Sequence, residues 1–287
     1  MASCYGEKLR AVKEEKRILP FVGIYDVFSA SIVANYHNCL FVSGFGFAAS
    51  HYGLPDIGFN TWTDLLNYVI RIRNILPDTH ILVDIDDGFV DIHNAKMITT
   101  CLLDAGASGI ILEDQARPRR CGHYNDKNLV SAEAYVQKLE AVMNVSQDLF
   151  VVARTDASEM KDILERVNKI KQFPVDCFLV DGMSVEQLCS FEVLHEFRQD
   201  NKIAYNQITG GKSSPHDLTE LQECGVGIAI FSTPCLFTAQ FAMQKAMQEL
   251  VDNNFLLSKI EHSTTLSQCT EVLNHNLSRR FKEDGSN

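Results

Sequence analysis

Ile81-Leu82-Val83-Asp84-Ile85-Asp86-Asp87-Gly88 is a short apolar run that stops on carboxylates. Residues 94–103 follow with helical period, and a second apolar run, Gly109-Ile110-Ile111-Leu112, stops on Glu113-Asp114. Runs apolar on both faces read as parallel strands covered on both sides, so this stretch reads as one strand–helix–strand unit. The same unit recurs in both directions. Upstream lie Phe21-Val22-Gly23-Ile24 and Cys39-Leu40-Phe41-Val42. Downstream lie Leu149-Phe150-Val151-Val152, Cys177-Phe178-Leu179-Val180, Lys202-Ile203-Ala204-Tyr205 and Val226-Gly227-Ile228-Ala229-Ile230-Phe231. Helical period fills residues 65–75, 132–143, 163–170 and 185–197 between them. The run starts advance by about 29 residues, the size of a βα unit. Eight such units predict an α/β fold of the (β/α)8 barrel type. A doubly wound open sheet is the alternative, because periodicity does not show closure. No G-x-G-x-x-G opens the first unit, and Gly210-Gly211-Lys212-Ser213 lacks the upstream glycine of a P-loop, so it reads as the loop after the seventh strand.

An eighth helix is expected around residues 236–250, which leaves a surplus apolar helix over 255–281 to pack on the barrel exterior or on another subunit. The expected organisation is one barrel over residues 1–252, a helical extension over 253–281 and a disordered tail over 282–287.

The 287 residues are 46% apolar and 22% charged, enough to bury a core. Lys plus Arg is 26 against 37 Asp plus Glu, a net charge of −11 with no basic stripe, which argues against nucleic-acid or anionic-membrane partners. No signal-peptide pattern opens the chain and no window approaches a membrane span. Nine cysteines, at 4, 39, 101, 121, 177, 189, 224, 235 and 269, form no C-x-x-C pair. They read as reduced thiols rather than a disulfide framework or zinc site, and the compartment as cytoplasmic.

In a barrel the chemistry sits at the C-terminal strand ends. In chain order those ends carry Asp26, Ser43-Gly44, Asp84 and Asp86, Glu113-Asp114, Arg154-Thr155-Asp156, Asp181, Asn206 and Ser232-Thr233. Asp84 and Asp86 are two apart, so at a strand end both point the same way. Oxygen-only ligands select a hard cation such as Mg2+, which needs one or two carboxylates and keeps waters. The same acids also read as helix caps or partners of a neighbouring base. Cys121 lies in Pro118-Arg119-Arg120-Cys121-Gly122-His123, a cationic loop expected to lower a thiol pKa and suit it to proton transfer, with Arg120 and His123 relaying the proton. Arg154 offers a fork that suits a substrate carboxylate or a structural ion pair.

Taken in order, Ser43-Gly44, Gly53-Leu54-Pro55-Asp56, Asp84-Ile85-Asp86-Asp87-Gly88-Phe89, Glu113-Asp114-Gln115, Arg120-Cys121-Gly122-His123, Ala153-Arg154-Thr155-Asp156-Ala157 and Gly210-Gly211-Lys212 resemble the phosphoenolpyruvate mutase/isocitrate lyase superfamily over roughly residues 15–250. The resemblance implies a (β/α)8 barrel with Mg2+, or Mn2+, at its mouth, and a homo-tetramer that exchanges a C-terminal helix between neighbours. It implies that Ser43, Gly44 and Phe45 hold a carboxylate of a 2-oxo acid, with Gly122 beside them. Asp84, Asp86, Asp56 and Glu113 would surround the metal directly or through water. Arg154 would bind the oxo-acid unit, and Asn206 and Asp181 would face the distal substrate group. Members that cleave C–C bonds carry Cys-Gly-His in the loop, as here, and use the Cys to protonate the leaving carbanion. The implied activity is therefore a carbon–carbon lyase acting on a 2-hydroxy dicarboxylate of the 2-alkylmalate or methylisocitrate type. Oxaloacetate hydrolysis, phosphonopyruvate chemistry and a catalytically inactive binding barrel are the alternatives. The hydrolases resembled carry Ser near the end of the last strand where lyases carry Pro, and both Ser232 and Pro234 stand close to that point. Departures from the pattern are Arg119 for Lys, Asp87 for Thr or Ser, Val90 for Gly, Asp181 for Glu and Thr209 for Glu; some relatives have Tyr where Phe41 stands.

Overall fold

The computed structural model describes residues 4–124, 126–146, 148–257 and 263–281. Eight parallel strands close into a barrel in chain order: β1 Leu19–Ile24, β2 Cys39–Val42, β3 His80–Asp84, β4 Gly109–Leu112, β5 Phe150–Thr155, β6 Cys177–Val180, β7 Ile203–Gln207 and β8 Val226–Phe231. Pairing of β8 with β1, with Phe21 opposite Ile230, excludes the open sheet. The helices are α1 Tyr5–Lys16, α2 Val27–Val33, α3 Gly44–Phe47, α4 Trp62–Ile75, α5 Ile92–Asp104, α6 Ala132–Met143, α7 Met160–Ile170, α8 Val185–Ser190, α9 His195–Gln199, α10 Leu218–Glu223, α11 Pro234–Asp252 and α12 Leu266–Arg280.

Side chains alternate along each strand between two cores. One set, including Phe21, Phe41, Leu82, Ile111, Val152, Leu179, Ala204 and Ile230, fills the lumen. The other, including Val22, Leu40, Val83, Ile110, Val151 and Phe178, packs against the helices. The inward phase fixes the rim, because two residues beyond the inward apolar side chains of β2 to β8 come Ser43, Asp84, Glu113, Arg154, Asp181, Asn206 and Ser232. Most helices start on a side-chain cap that closes an orphan N–H: Asp26 for α2, Thr61 for α4, Ser131 for α6, Ser184 for α8 and Asp217 for α10.

The expected helix over 185–197 is three pieces, α8, a 3-10 turn Glu192–Leu194 and α9. The sequence reading also omitted α1, whose Leu9 is fully buried and plugs the bottom of the lumen. Of the surplus helix, Leu266–Arg280 is helical and rests on α2 and α4 of its own chain, with Asn276 Nδ2 donating to Ser31 Oγ at 2.8 Å. Residues 258–262, and the tail expected to be disordered over 282–287, lie outside the described residues. One expectation about the cysteines is overturned. Cys189 at the end of α8 and Cys224 after α10 form a disulfide, with Cα atoms 5.5 Å apart. They are 35 residues apart, and only the side-by-side packing of successive βα returns brings them together. Among the described residues, no helix is long and apolar enough to cross a membrane.

Candidate active site

The polar rim closes over a floor of Phe41, Ile111, Leu179 and Ile230. The space between them is about 30 Å³, room for a water or two. Ser43, Phe45, Asp56, Asp84, Cys121, Gly122, His123, Arg154, Asp181, Asn206 and Ser232 all line it. Asp86 and Glu113 stand just behind, both almost fully buried. Arg120 is not part of it: its side chain is solvent-exposed, and only its backbone is tied, by exchange of hydrogen bonds with the Gln115 side chain at 2.7 and 2.9 Å. Its placement in the proton relay is therefore corrected.

Two arginines organise the acids. Arg154 sets Nε 2.9 Å from Asp156 Oδ2, and its Nη2 lies 3.2 Å from both Asp181 Oδ2 and Glu113 Oε2; Nη1 lies 3.5 Å from Asp84 Oδ2. Burial alone would raise the Asp156 pKa, yet Arg154 and then Lys127, 2.7 Å away, hold it down to about 2. Arg119, only 1% exposed, was expected beside the thiol. Instead it turns into the acids, with Nη1 2.5 Å from Asp56 and 3.2 Å from Asp86 Oδ1, and Nε 2.9 Å from Glu113. Asp56, Asp84, Asp86 and Glu113 thus share two guanidinium groups, four negative charges against two positive.

The imbalance shows in the individual groups. Burial first, and then repulsion from neighbouring carboxylates working against the arginines, pushes Asp86 up to about 8 and raises Asp84 and Glu113. Both Asp86 oxygens and Glu113 Oε2 are buried without a hydrogen-bond donor, and Asp86 holds φ at 53°, an uncommon value outside glycine. Buried carboxylates that lack hydrogen-bond donors, and whose ionised forms are disfavoured by burial and mutual repulsion, are a donor set that a cation would fit. Among the described residues no three metal-ligating side chains already converge as a closed set. A cation that keeps several waters needs only one or two carboxylates directly. Asp84 and Asp86 would hold it, with Asp56 and Glu113 oriented by Arg119 behind them.

Cys121 is 8% exposed, and its backbone N–H donates to Asp56 O at 3.0 Å. Burial, partly offset by the His123 backbone N–H, pushes its thiol up to about 12. The expected lowering is thus reversed, because Arg119 and Arg120 both point elsewhere; the group is a protonated thiol, the form an acid needs. Gly122 lets the loop press onto the rim. A Cβ there would stand 1.7 Å from Asp181 Oδ2 and 2.3 Å from Arg154 Nη2. His123 accepts the Lys212 backbone N–H on Nδ1 at 3.0 Å, which leaves Nε2 as its proton-bearing nitrogen, 3.8 Å from Asp181. Burial lowers its pKa, favouring the neutral ring. Asn206 donates to Asp181 Oδ1 at 3.1 Å and accepts from Ser232 Oγ at 2.5 Å. Pro234 begins α11 and is exposed, so Ser232 is the side chain that meets the site. Ser43 caps α3 by accepting the Gly46 N–H at 3.2 Å. The first N–H groups of such a helix, those of Gly44 and Phe45, have no intrahelical acceptor.

Other flagged positions lie outside. Asp87 turns outward to Arg117 at 2.7 Å, and Val90 is 78% exposed. Sequence reasoning missed Lys127, whose Nζ clamps the Gly122 carbonyl at 2.5 Å, and Tyr135, whose hydroxyl donates to Leu112 O at 2.8 Å and accepts the Arg154 N–H at 3.1 Å. Neither sits at a strand end, so no strand-phase signal marked them.

Comparison with known proteins agrees with this fold. A family model described as phosphoenolpyruvate phosphomutase matches residues 9–251. The petal death protein of Dianthus caryophyllus is 30% identical over 272 residues, 92% of this chain and 84% of that protein. A 2-methylisocitrate lyase of Halalkalibacterium halodurans is 28% identical over 275 residues, 94% and 89% of the two chains. The structure of 2,3-dimethylmalate lyase superposes with a TM-score of 0.87 at 25% identity, covering 97% of this chain and 94% of that one. With its barrel, the family model and these relatives in agreement, the chain belongs to the phosphoenolpyruvate mutase/isocitrate lyase superfamily of lyases and mutases.

Proposed function

We propose that this protein is a Mg2+-dependent carbon–carbon lyase that splits a 2-hydroxy dicarboxylate into a 2-oxo acid and a carboxylate. The observation that carries the reading is the buried Cys121 thiol facing the same small cavity as Arg154 and Asp84. A phosphoryl-transfer site has no step for such an acid at that place.

Arg154 binds the carboxylate of the oxo-acid half by its planar fork, and Ser43 with the Gly44 and Phe45 N–H groups receives its other polar edge. The bound cation supplies Lewis-acid stabilisation of negative charge on the C2 oxygen. As the C2–C3 bond breaks, its electron pair moves onto C3 and the adjoining carboxylate, and the Cys121 thiol delivers its proton to C3. His123, held by Lys212, stands beside that thiol in its neutral form. Phe41 has no hydroxyl and closes the floor instead of serving as a base.

Oxaloacetate hydrolysis is the second reading. It is favoured by Ser232, which reaches the cavity where the resemblance associates serine with hydrolases. Product analysis on 2,3-dimethylmalate, methylisocitrate and oxaloacetate, in chelator and with Mg2+ restored, separates the two. The lyase reading expects pyruvate from dimethylmalate, only with metal. Full turnover in chelator would overturn the metal, and oxalate plus acetate as the sole products would overturn the lyase.

The assembly carried with this reading is a homo-tetramer. It is supported by α11, which buries none of its residues and exposes Phe241, Met243 and Met247 at 69, 61 and 51%. A monomer by light scattering would overturn it. Seven unpaired cysteines support a cytoplasmic location, which the Cys189–Cys224 bond opposes; finding that bond fully oxidised in protein taken from cells would count against the cytoplasm.

A further inference from the structure

Cys121 is held from two sides. On one side its own N–H donates to Asp56 O, and Arg119 just before it is locked among Asp56, Asp86 and Glu113. On the other side the loop is tied by Lys127. Its Nζ donates to the Gly122 carbonyl at 2.5 Å and to Asp156 Oδ1 at 2.7 Å, with the side chain 8% exposed. Asp156 is in turn a carboxylate that faces Arg154, through Nε at 2.9 Å and Nη2 at 3.0 Å. A chain of contacts therefore runs from the Arg154 fork through Asp156 and Lys127 to the backbone next to the thiol. Lys127 comes in from behind. It lines the open space between the starts of α6, α7 and α8, while Cys121, Gly122 and His123 of the same loop line the small cavity over Arg154. Lys127 thus acts on the reacting atoms only through other residues.

The loop presses so closely on the rim that a Cβ on Gly122 would stand 2.7 Å from Asp156 Oδ1. Take the cation away, and the Gly122 carbonyl and the Asp156 carboxylate are two acceptors left without their shared donor, oxygen facing oxygen. Nothing then draws this side of the loop onto the rim. Resting on the lyase reading above, we infer that Lys127 is a positioning residue, which sets the Cys121 thiol against the face of C3 that receives the proton. The step needs no further reagent. The C2–C3 bond breaks, its electron pair goes to C3 and the adjoining carboxylate, and C3 takes the proton of the thiol. The proton released from the C2 hydroxyl makes up the one that Cys121 has given. The acid must meet one face of a planar carbanion, and a misplacement of about 1 Å costs up to about 10²-fold and leaves the quench to water.

The test is cleavage of 2,3-dimethylmalate with Mg2+ in heavy water, where the thiol carries a deuteron and the propionate released becomes chiral at its α-carbon. The parent should give one enantiomer of the α-deuterated propionate. Lys127→Met should lower kcat by about 10–100-fold and give both enantiomers, with inhibition by pyruvate within a few-fold of the parent. Lys127→Gln keeps a neutral donor for the carbonyl and should fall between the two; it also stands in should Lys127→Met not fold. A second readout needs no substrate. Alkylation of Cys121 by iodoacetamide, followed on its own peptide by mass spectrometry, should be about tenfold faster or more in the variants. A single enantiomer from the Lys127 variants, whatever their rate, would overturn this inference while leaving the lyase reading standing. So would an unchanged alkylation rate, since a merely structural lysine moves neither readout. Racemic propionate from the parent, or no cleavage by it, would overturn both.

Discussion

The two ends of the barrel carry similar groups and use them in opposite ways. At the bottom, charge closes backbone. Arg73 gives its guanidinium to the carbonyls of Gly106, Leu76, Pro77 and Thr79 at 2.6–3.2 Å, and Arg10 pairs with Asp176, which itself accepts the Val151 N–H at 2.7 Å. At the top, charge faces charge. Arg119 and Arg154 are spread over more carboxylates than they can neutralise, and Asp86 keeps two buried oxygens without a donor. Carboxylates crowded around two shared guanidinium groups mark the top rim, the C-terminal face where this fold places its chemistry.

Removing one arginine from each end sharpens the contrast. Arg154→Met should have the largest effect, since breaking a buried ion pair costs about 3–5 kcal/mol and leaves Asp156 with Lys127 alone and Asp181 without its guanidinium partner. Denaturant unfolding should show that loss, and cleavage should vanish. Arg73→Met removes hydrogen bonds from a charged donor, each worth about 1.5–3 kcal/mol, so stability should fall by about that much. Turnover per folded molecule should stay at the parent value. Equal loss of turnover in both variants would break the distinction between the two ends.

A third, smaller effect belongs to the bottom alone. His37, before β2, donates from Nε2 to the Pro20 carbonyl at 2.5 Å, and burial lowers its pKa. The unfolded chain then takes up the proton first, so the contribution of His37 is whole above about pH 6.5 and is lost as the pH falls below it. The Tm advantage of the parent over His37→Gln should shrink between about pH 7.5 and pH 5. A gap that stays constant would contradict the buried neutral histidine.

Strand phase was the legible part of this molecule. The apolar runs located all eight strands, and the period of two carried each inward residue on to its rim partner, from Phe41 to Ser43 and from Leu179 to Asp181. Ser232 and Pro234 share the phase of Ile230, so the choice between them needed the observed end of β8 at Phe231 and the start of α11 at Pro234. What the sequence did not display was loop geometry. Adjacent arginines, Arg119 and Arg120, look equivalent on paper, yet one is buried among three acids and the other is in solvent. The Cys121 thiol is raised by burial, which the polar loop sequence did not show, and the Cys189–Cys224 bond depends on packing between units rather than on spacing within one.

The central claim is that the top rim ends in an acid aimed at carbon, and Cys121→Ser tests it most directly. Serine keeps the shape of the side chain but is a far weaker acid. General acid catalysis contributes roughly 10²–10⁴-fold, about 3–5 kcal/mol. Turnover of 2,3-dimethylmalate with Mg2+, measured beside inhibition by the 2-oxo acid product, should fall by that factor while product affinity stays near the parent value, because Ser43, Arg154 and the acids make that site. A serine variant that cleaves the malate within a few-fold of the parent rate would remove Cys121 from the mechanism and with it the lyase assignment.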